Sequence, residues 1–239
     1  VRERKEVQIL LRTLAVSITE NYRKLQEEVP DHVTIVAAAK TRAAAEIAEA
    51  IDAGVRHVGE NYVQEAERAH AQLGARAASV SWHMIGHLQD NKINKALRIF
   101  HMVQTVDSRE RAEAINRRAA AAEKILPILI EINIGAEQDK SGIAPDENLI
   151  ETLVRDAAKM GNLRVRGLMT MGPLIEDAER LRPYFRRTRE LFERIRSAEI
   201  EGVQFDTLSM GMSGSYRVAV EEGATMIRVG TVLFGPRGK

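Results

Sequence analysis

At 239 residues with 44% apolar side chains, the sequence is long enough to bury one sizeable core. Its 35 basic and 34 acidic residues leave a net charge of +1, which gives no electrostatic footprint for nucleic acid or an anionic membrane. There is no cysteine, which excludes disulfides, thiolate catalysis and cysteine-bound metals; with no spanning apolar run and no signal-peptide layout, the expected address is cytoplasmic.

Residues 1–27 carry a helical pattern, with Val7, Leu10, Leu11, Leu14, Ile18, Tyr22 and Leu25 on one face. Pro30 and Asp31 break it. Short apolar runs follow at 33–40, 57–60, 81–86, 102–107, 126–134, 165–171, 207–212 and 226–230. Amphipathic stretches lie between them, among them 43–53, 109–122, 147–160 and 184–197. Pro183 fits the first turn of the last of these, where its missing N–H does no harm. Strands alternating with helices predict a parallel sheet, closed by right-handed crossovers into a single (β/α)8 TIM barrel over residues 1–239, with the 1–27 helix packed on it. The alternative is an open doubly wound sheet, although no Gly-x-Gly-x-x-Gly follows the first strand to support its dinucleotide-binding form.

Such barrels carry their chemistry at the C-terminal strand ends. The candidates are then Lys40, Glu60 with Asn61, His83 with Gly86, Asn133, and the segments 169–171, 209–213 and 228–231. Lys40 closes an apolar run that would bury most of its stem. Burial and nearby cations favour the neutral amine that imine formation needs. Position alone favours the simpler reading, a surface lysine whose stem snorkels to solvent.

The last two strands shift that balance. Barrels often bind phosphate with the loops after strands seven and eight and a short helix N-terminus. Ser209, Gly211 and Ser213 recur at period two, on one side if the strand continues, and Gly214 and Ser215 lead into a short helix. Arg228-Val229-Gly230-Thr231 offers a cation, a close backbone approach and a hydroxyl. The competing reading is that these small residues only make tight turns. Arg228 fits either a core ion pair or a ligand. If it faces a pyridine nitrogen, its guanidinium keeps its proton and the ring becomes a weaker electron sink.

Other signals are weaker. His83 and His87 lie four apart but straddle a strand end, with Gly86 between them and no third ligand at a recognisable spacing, so a metal site is not expected. Trp82 reads as core packing, and the Glu/Arg alternation of 179–196 as a solvated helix face. Lys140 reads as a solvated loop lysine, with a second aldehyde-reactive amine or a phosphate clamp as alternatives.

The motifs Ala37-Ala38-Ala39-Lys40-Thr41-Arg42, Val58-Gly59-Glu60-Asn61-Tyr62-Val63-Gln64-Glu65 and Trp82-His83-Met84-Ile85-Gly86-His87-Leu88-Gln89-Asp90-Asn91-Lys92 occur in that order. Gly167-Leu168-Met169-Thr170-Met171, Leu208-Ser209-Met210-Gly211-Met212-Ser213 and Val229-Gly230-Thr231 follow them. Together the set resembles the pyridoxal phosphate homeostasis protein family over nearly the whole chain. Asn133, Glu137 and Lys140-Ser141-Gly142 also match a family segment. The resemblance implies a barrel like the N-terminal domain of alanine racemase, with pyridoxal 5'-phosphate (PLP) at its mouth. It implies that Lys40 is the Schiff-base lysine, that Asn61 lies beside the ring, and that Arg228 partners the pyridine nitrogen. Ser209, Ser213, Gly230 and Thr231 would form the phosphate region, with either serine as the contact. Two positions depart from the family: Ala39 stands where serine is common, and Ser215 where an acidic residue is usual.

Three functions follow as expectations. The first is a PLP-binding protein of vitamin B6 homeostasis that holds or delivers the cofactor without catalysis, with apo-enzymes as possible recipients and a monomeric state. The second is a PLP-dependent racemase-like enzyme. The third is an aldolase-like barrel without PLP. Two-sided proton transfer needs an acid/base opposite the lysine, and none of Tyr22, Tyr62, Tyr184 and Tyr216 obviously supplies it. The chain also runs only a few residues past strand eight, leaving no room for the racemase's second domain, and the carrier reading is favoured.

Overall fold

The apolar runs become eight parallel strands that pair in chain order and close on themselves in a computed structural model describing residues 17–138 and 140–236. They are β1 (Thr34–Ala38), β2 (His57–Glu60), β3 (Ser81–Met84), β4 (Met102–Val106), β5 (Leu126–Ile132), β6 (Leu163–Thr170), β7 (Thr207–Met212) and β8 (Met226–Val229). β1 closes on β8 with Thr34 opposite Met226 and Val36 opposite Arg228. This closure excludes the open doubly wound sheet.

The amphipathic stretches become α1 (Ile18–Glu28), α2 (Ala44–Asp52), α3 (Val63–Leu73), α4 (Ile93–Ile99), α5 (Arg109–Ala121), α6 (Glu147–Ala158), α7 (Arg182–Ser197), α8 (Tyr216–Glu221) and α9 (Thr231–Phe234). Their local chemistry is legible. Asp146 caps α6 by accepting from Leu149 N at 3.0 Å, and Ile150, Leu153, Val154 and Ala157 fall on its buried face. In α7, Pro183 occupies the first turn. Phe185, Leu191, Phe192 and Ile195 are buried, while Arg187–Glu190 and Arg189–Glu193 pairs occupy the outer face. Truncating the fully buried Phe185 to alanine removes packing worth about 3–5 kcal/mol.

α1 starts with a capping box: Ser17 Oγ accepts from Glu20 N, and Glu20 Oε2 accepts from Ser17 N, both at 3.1 Å. Ile18, Tyr22 and Leu25 are buried, as their spacing predicts; Val7, Leu10, Leu11 and Leu14 lie outside the described residues. Tyr22 donates its hydroxyl to Gly54 O (3.3 Å), and Asn21 Nδ2 donates to Leu233 O (2.9 Å). The helix is thereby fixed to the end of α2 and to α9, across the seam where β1 meets β8.

β6 begins two residues before the predicted run. Arg164 and Arg166 interrupt its apolar pattern, and Arg166 forms a two-pronged ion pair with Asp206 at 2.6 and 3.1 Å. Trp82 is wholly buried and donates its indole N–H to Ala77 O at 3.0 Å. It is core.

Candidate functional site

β1 carries Lys40 to the C-terminal mouth of the barrel. Just beyond the strand, residues 39–42 form a tight turn closed by Arg42 N donating to Ala39 O at 2.8 Å. Thr41 adopts φ 67°, a left-handed conformation that costs a β-branched residue about 1–3 kcal/mol. Its N–H donates to Glu65 Oε2 at 3.0 Å, which offsets part of that strain. The mostly buried Arg42 guanidinium pairs with Glu46 (3.1 Å) and donates to Phe234 O (3.3 Å) and Gly235 O. The turn that presents Lys40 is thus tied to the segment after β8.

Lys40 borders a cavity of about 230 Å³ that is also lined by Asn61, Ser213, Arg228, Gly230 and Thr231. Elements β1, β2, β7 and β8 bring these side chains together. Ser213 Oγ accepts from Gly230 N at 2.9 Å and from Val232 N at 3.3 Å, joining the β7 loop to the start of α9. Gly86 lets Asn61 sit where it does: a Cβ at Gly86 would lie 2.4 Å from Asn61 O. Asn61, Ile85 and Met171 also line an adjoining cavity of about 260 Å³, which contains Glu131, Asn133 and Lys140.

Ser209 does not line either of these cavities. It is wholly buried beneath the first, and Arg228 Nη1 donates to its Oγ at 2.6 Å. The regular alternation expected for Ser209, Gly211 and Ser213 fails, because the β7–β8 register shifts between Ser209 and Met212. Gly211 takes φ 92°, and a Cβ there would meet Ala219 of α8 at 2.5 Å, so this position faces the outer helix instead of the mouth. Ser215, standing where an acid was expected, accepts from Met212 N at 3.2 Å and closes the loop with a hydroxyl.

Arg228 is the floor of the first cavity and is only 3% exposed. Besides Ser209, it donates through Nη2 to Thr170 O at 2.8 Å. Burial pushes it down to about 10, opposed by the Glu131 carboxylate, so it remains a cation at neutral pH. Below it a buried polar column continues: Ser209 Oγ to Gln104 Oε1 (2.7 Å), Gln104 Nε2 to His83 Nδ1 (3.0 Å), and His83 Nε2 to His57 Nδ1 (3.0 Å). Burial, with His57 and His101 adding to it, depresses His83 to about 3, leaving the ring neutral.

Two acids at the mouth behave oppositely to an exposed carboxylate. Burial raises Glu131 to about 7, with Asp107 pushing the same way and Arg228 against it. Burial raises Glu60 to about 8, with Glu65 adding to the shift. Lys140 is ion-paired with Glu137 at 2.5 Å and donates to Gly172 O at 3.2 Å. His83 and His87 diverge, the first into the column and the second toward Arg111 Nη2 at 3.2 Å. Among the described residues, no group of three or more carboxylate and imidazole side chains is placed to hold a metal, and no helix is long and apolar enough to cross a membrane. Sequence reasoning missed Glu131 and Gln104. The available signal was a polar side chain inside a mostly apolar strand, Glu131 alone in β5 and Gln104 next to Thr105 in β4.

A family model described as alanine racemase, N-terminal domain, matches residues 15–238. The pyridoxal phosphate homeostasis protein of Aquifex aeolicus (strain VF5) is 38% identical over 203 residues, covering 85% of this chain and 86% of that protein. The protein of the same name from Escherichia coli (strain K12) is 38% identical over 211 residues, covering 87% of each. Among solved structures, PipY of Synechococcus elongatus PCC7942, described with PLP bound, matches with a TM-score of 0.83 and 33% identity over 92% of this chain and 100% of that one. Alanine racemase from Clostridium difficile 630 matches with a TM-score of 0.73 at 16% identity, over 93% of this chain but 57% of that one, a likeness of fold alone.

Proposed function

The chain belongs to the alanine racemase N-terminal domain family, among the pyridoxal phosphate homeostasis proteins, and on that premise we propose that it holds PLP as a Schiff base on Lys40 for cofactor homeostasis and delivery, without turning over a substrate. The observation that carries this reading is the bonding of Ser213. Its oxygen already accepts two backbone N–H groups, so its own proton is left to donate toward the cavity, as an anion there requires. A hydroxyl, a glycine-rich loop and a short helix start supply anion binding, and Lys40 lines the same cavity.

When bound, PLP supplies an aldehyde that condenses with a primary amine and a ring that withdraws electrons. Lys40 offers the amine, and the strained 39–42 turn sets its approach. Arg228, a donor that keeps its proton, would face the ring nitrogen; that nitrogen would then stay unprotonated, which would weaken the ring as an electron sink. Asn61, just past β2, would bound the ring. Ser209 acts on Arg228 from beneath and does not line the cavity. None of the four tyrosines lines the Lys40 cavity, so no tyrosine is in place for proton transfer opposite the lysine.

One observation favours a second reading, a PLP-dependent racemase-like enzyme. Glu131, held near neutrality in the adjoining cavity, is a candidate second acid/base. Incubation with single-enantiomer amino acids separates the two: the carrier reading expects no enantiomer, decarboxylation or elimination product.

Borohydride reduction of cofactor-replete protein followed by peptide mapping tests the attachment. A phosphopyridoxyl group on the peptide containing Lys40 is expected, and its absence there overturns the reading. For delivery, an apo-enzyme is mixed with loaded protein in the presence of a PLP scavenger. Recovery of its activity faster than from released cofactor is expected of a direct donor.

A further inference from the structure

A guanidinium only donates hydrogen bonds, and this fixes the sense of every bond in the column beneath Arg228. Arg228 Nη1 donates to Ser209 Oγ (2.6 Å), so the Ser209 proton turns to Gln104 Oε1 (2.7 Å). The Gln104 amide then directs Nε2–H at His83 Nδ1 (3.0 Å). With the amide reversed, the Ser209 hydroxyl would face two donors and its proton would lose its acceptor. A His83 that accepts at Nδ1 carries its proton on Nε2 and donates it to His57 Nδ1 (3.0 Å). Ser209 and Gln104 are wholly buried and His83 is 2% exposed, so water does not substitute for any of these partners.

We infer that Ser209, Gln104 and His83 are positioning residues: a one-way chain of donors running from the mouth to the opposite end of the barrel holds the Arg228 guanidinium under the cavity. The chain rests on the reading that Arg228 faces the cofactor ring. Thr170 O fixes the second arm of the guanidinium, and Glu131 is the carboxylate whose charge reaches it. Without the Ser209 contact, one arm loses its anchor and the guanidinium turns toward Glu131. The column decides where the cation points, and Lys40 has no part in it.

The first test needs no substitution and no cofactor. In nitrogen-15 NMR spectra of cofactor-free protein, His83 is expected neutral with its proton on Nε2 from about pH 5 to about pH 8. A proton on Nδ1 overturns the inference. In Gln104→Glu the side chain only accepts once ionised, so at the alkaline end of the titration a proton is expected on His83 Nδ1; an unchanged tautomer there counts against the chain. In loaded protein, Ser209→Ala is expected to weaken PLP retention about tenfold and to shift the pH dependence of bound-cofactor absorbance, with Ser209→Thr restoring both. A Ser209→Ala protein matching the unmutated one in both readouts overturns the positioning role. Borohydride labelling of Lys40 in the unmutated protein tests the attachment separately. Its failure removes the cofactor reading, while the His83 tautomer still decides the column.

Discussion

The two halves of the barrel mouth share Asn61, Ile85 and Met171 but are built from opposite chemistry. The half at β1, β7 and β8 presents an amine, a guanidinium, a hydroxyl with a proton to give, and glycines that admit a close approach. The half at β5 and β6 holds a buried acid and a lysine already neutralised by Glu137. Among the described residues, no ion pair involves Lys40, whereas Lys140 has its carboxylate at 2.5 Å. Two lysines at one mouth are therefore chemically unequal. What separates them is the partner each fold segment supplies, since both follow a strand and both are partly exposed.

The largest expected effect breaks that inequality directly. Lys40→Ala should abolish the reducible cofactor adduct, whereas Lys140→Ala should leave labelling at Lys40 intact; mass spectrometry after borohydride treatment reads both. Labelling that survives in the first variant would move the attachment site to the other half. Next, Ser213→Ala should raise the PLP dissociation constant about tenfold, as expected for losing a hydrogen bond to a charged group, measured by equilibrium titration. An equal loss from Asn133→Ala would erase the contrast between the halves.

A smaller effect sharpens the acid half. The folded-state value of Glu131 is about 7, above the ordinary carboxylate value of 4.5, so the folded protein binds the extra proton. The stability associated with Glu131 is fully present below about pH 4.5 and is lost as pH rises through about 7. Glu131→Gln should therefore match the unmutated protein near pH 4.5 and exceed it near pH 8 by on the order of 1–3 kcal/mol, seen as a higher melting temperature. A gain that is the same at both pH values would contradict the burial argument. The smallest effect concerns the strained turn of the lysine half. Thr41→Gly relieves the positive φ and should stabilise by about 1 kcal/mol in denaturant unfolding.

Much of this was legible in the chain. Apolar runs of strand length alternating with amphipathic stretches specify a parallel sheet covered by helices, because each pattern buries one set of faces; the pairing of β1 with β8 is what makes it a barrel and not an open sheet. Strand ends then nominate Lys40, Arg228, Gly230 and Thr231, since a barrel places them on one rim. Ser209 was the point of failure. Period two carries it and Ser213 to the same side, but the irregularity at Gly211 rotates the strand between them. Glu131 and Gln104 were hidden differently. Glu131 is the one polar residue of β5 and Gln104 sits beside Thr105 in β4, and a linear pattern does not tell a core defect from a side chain aimed into a barrel.

The sequence by itself placed Lys40, Arg228, Gly230 and Thr231 at or just past strand ends, because strand positions follow from local periodicity. Closure of β1 on β8 decided the rest. It brought Lys40 to one cavity with Ser213 and Arg228, which lie more than a hundred residues further along the chain. It also stacked His57, His83, Gln104 and Ser209 into a column whose direction is set by a single donor-only group. Hydrogen-bond direction and proton placement depend on which partners meet in space, and that information appears only when the sheet closes.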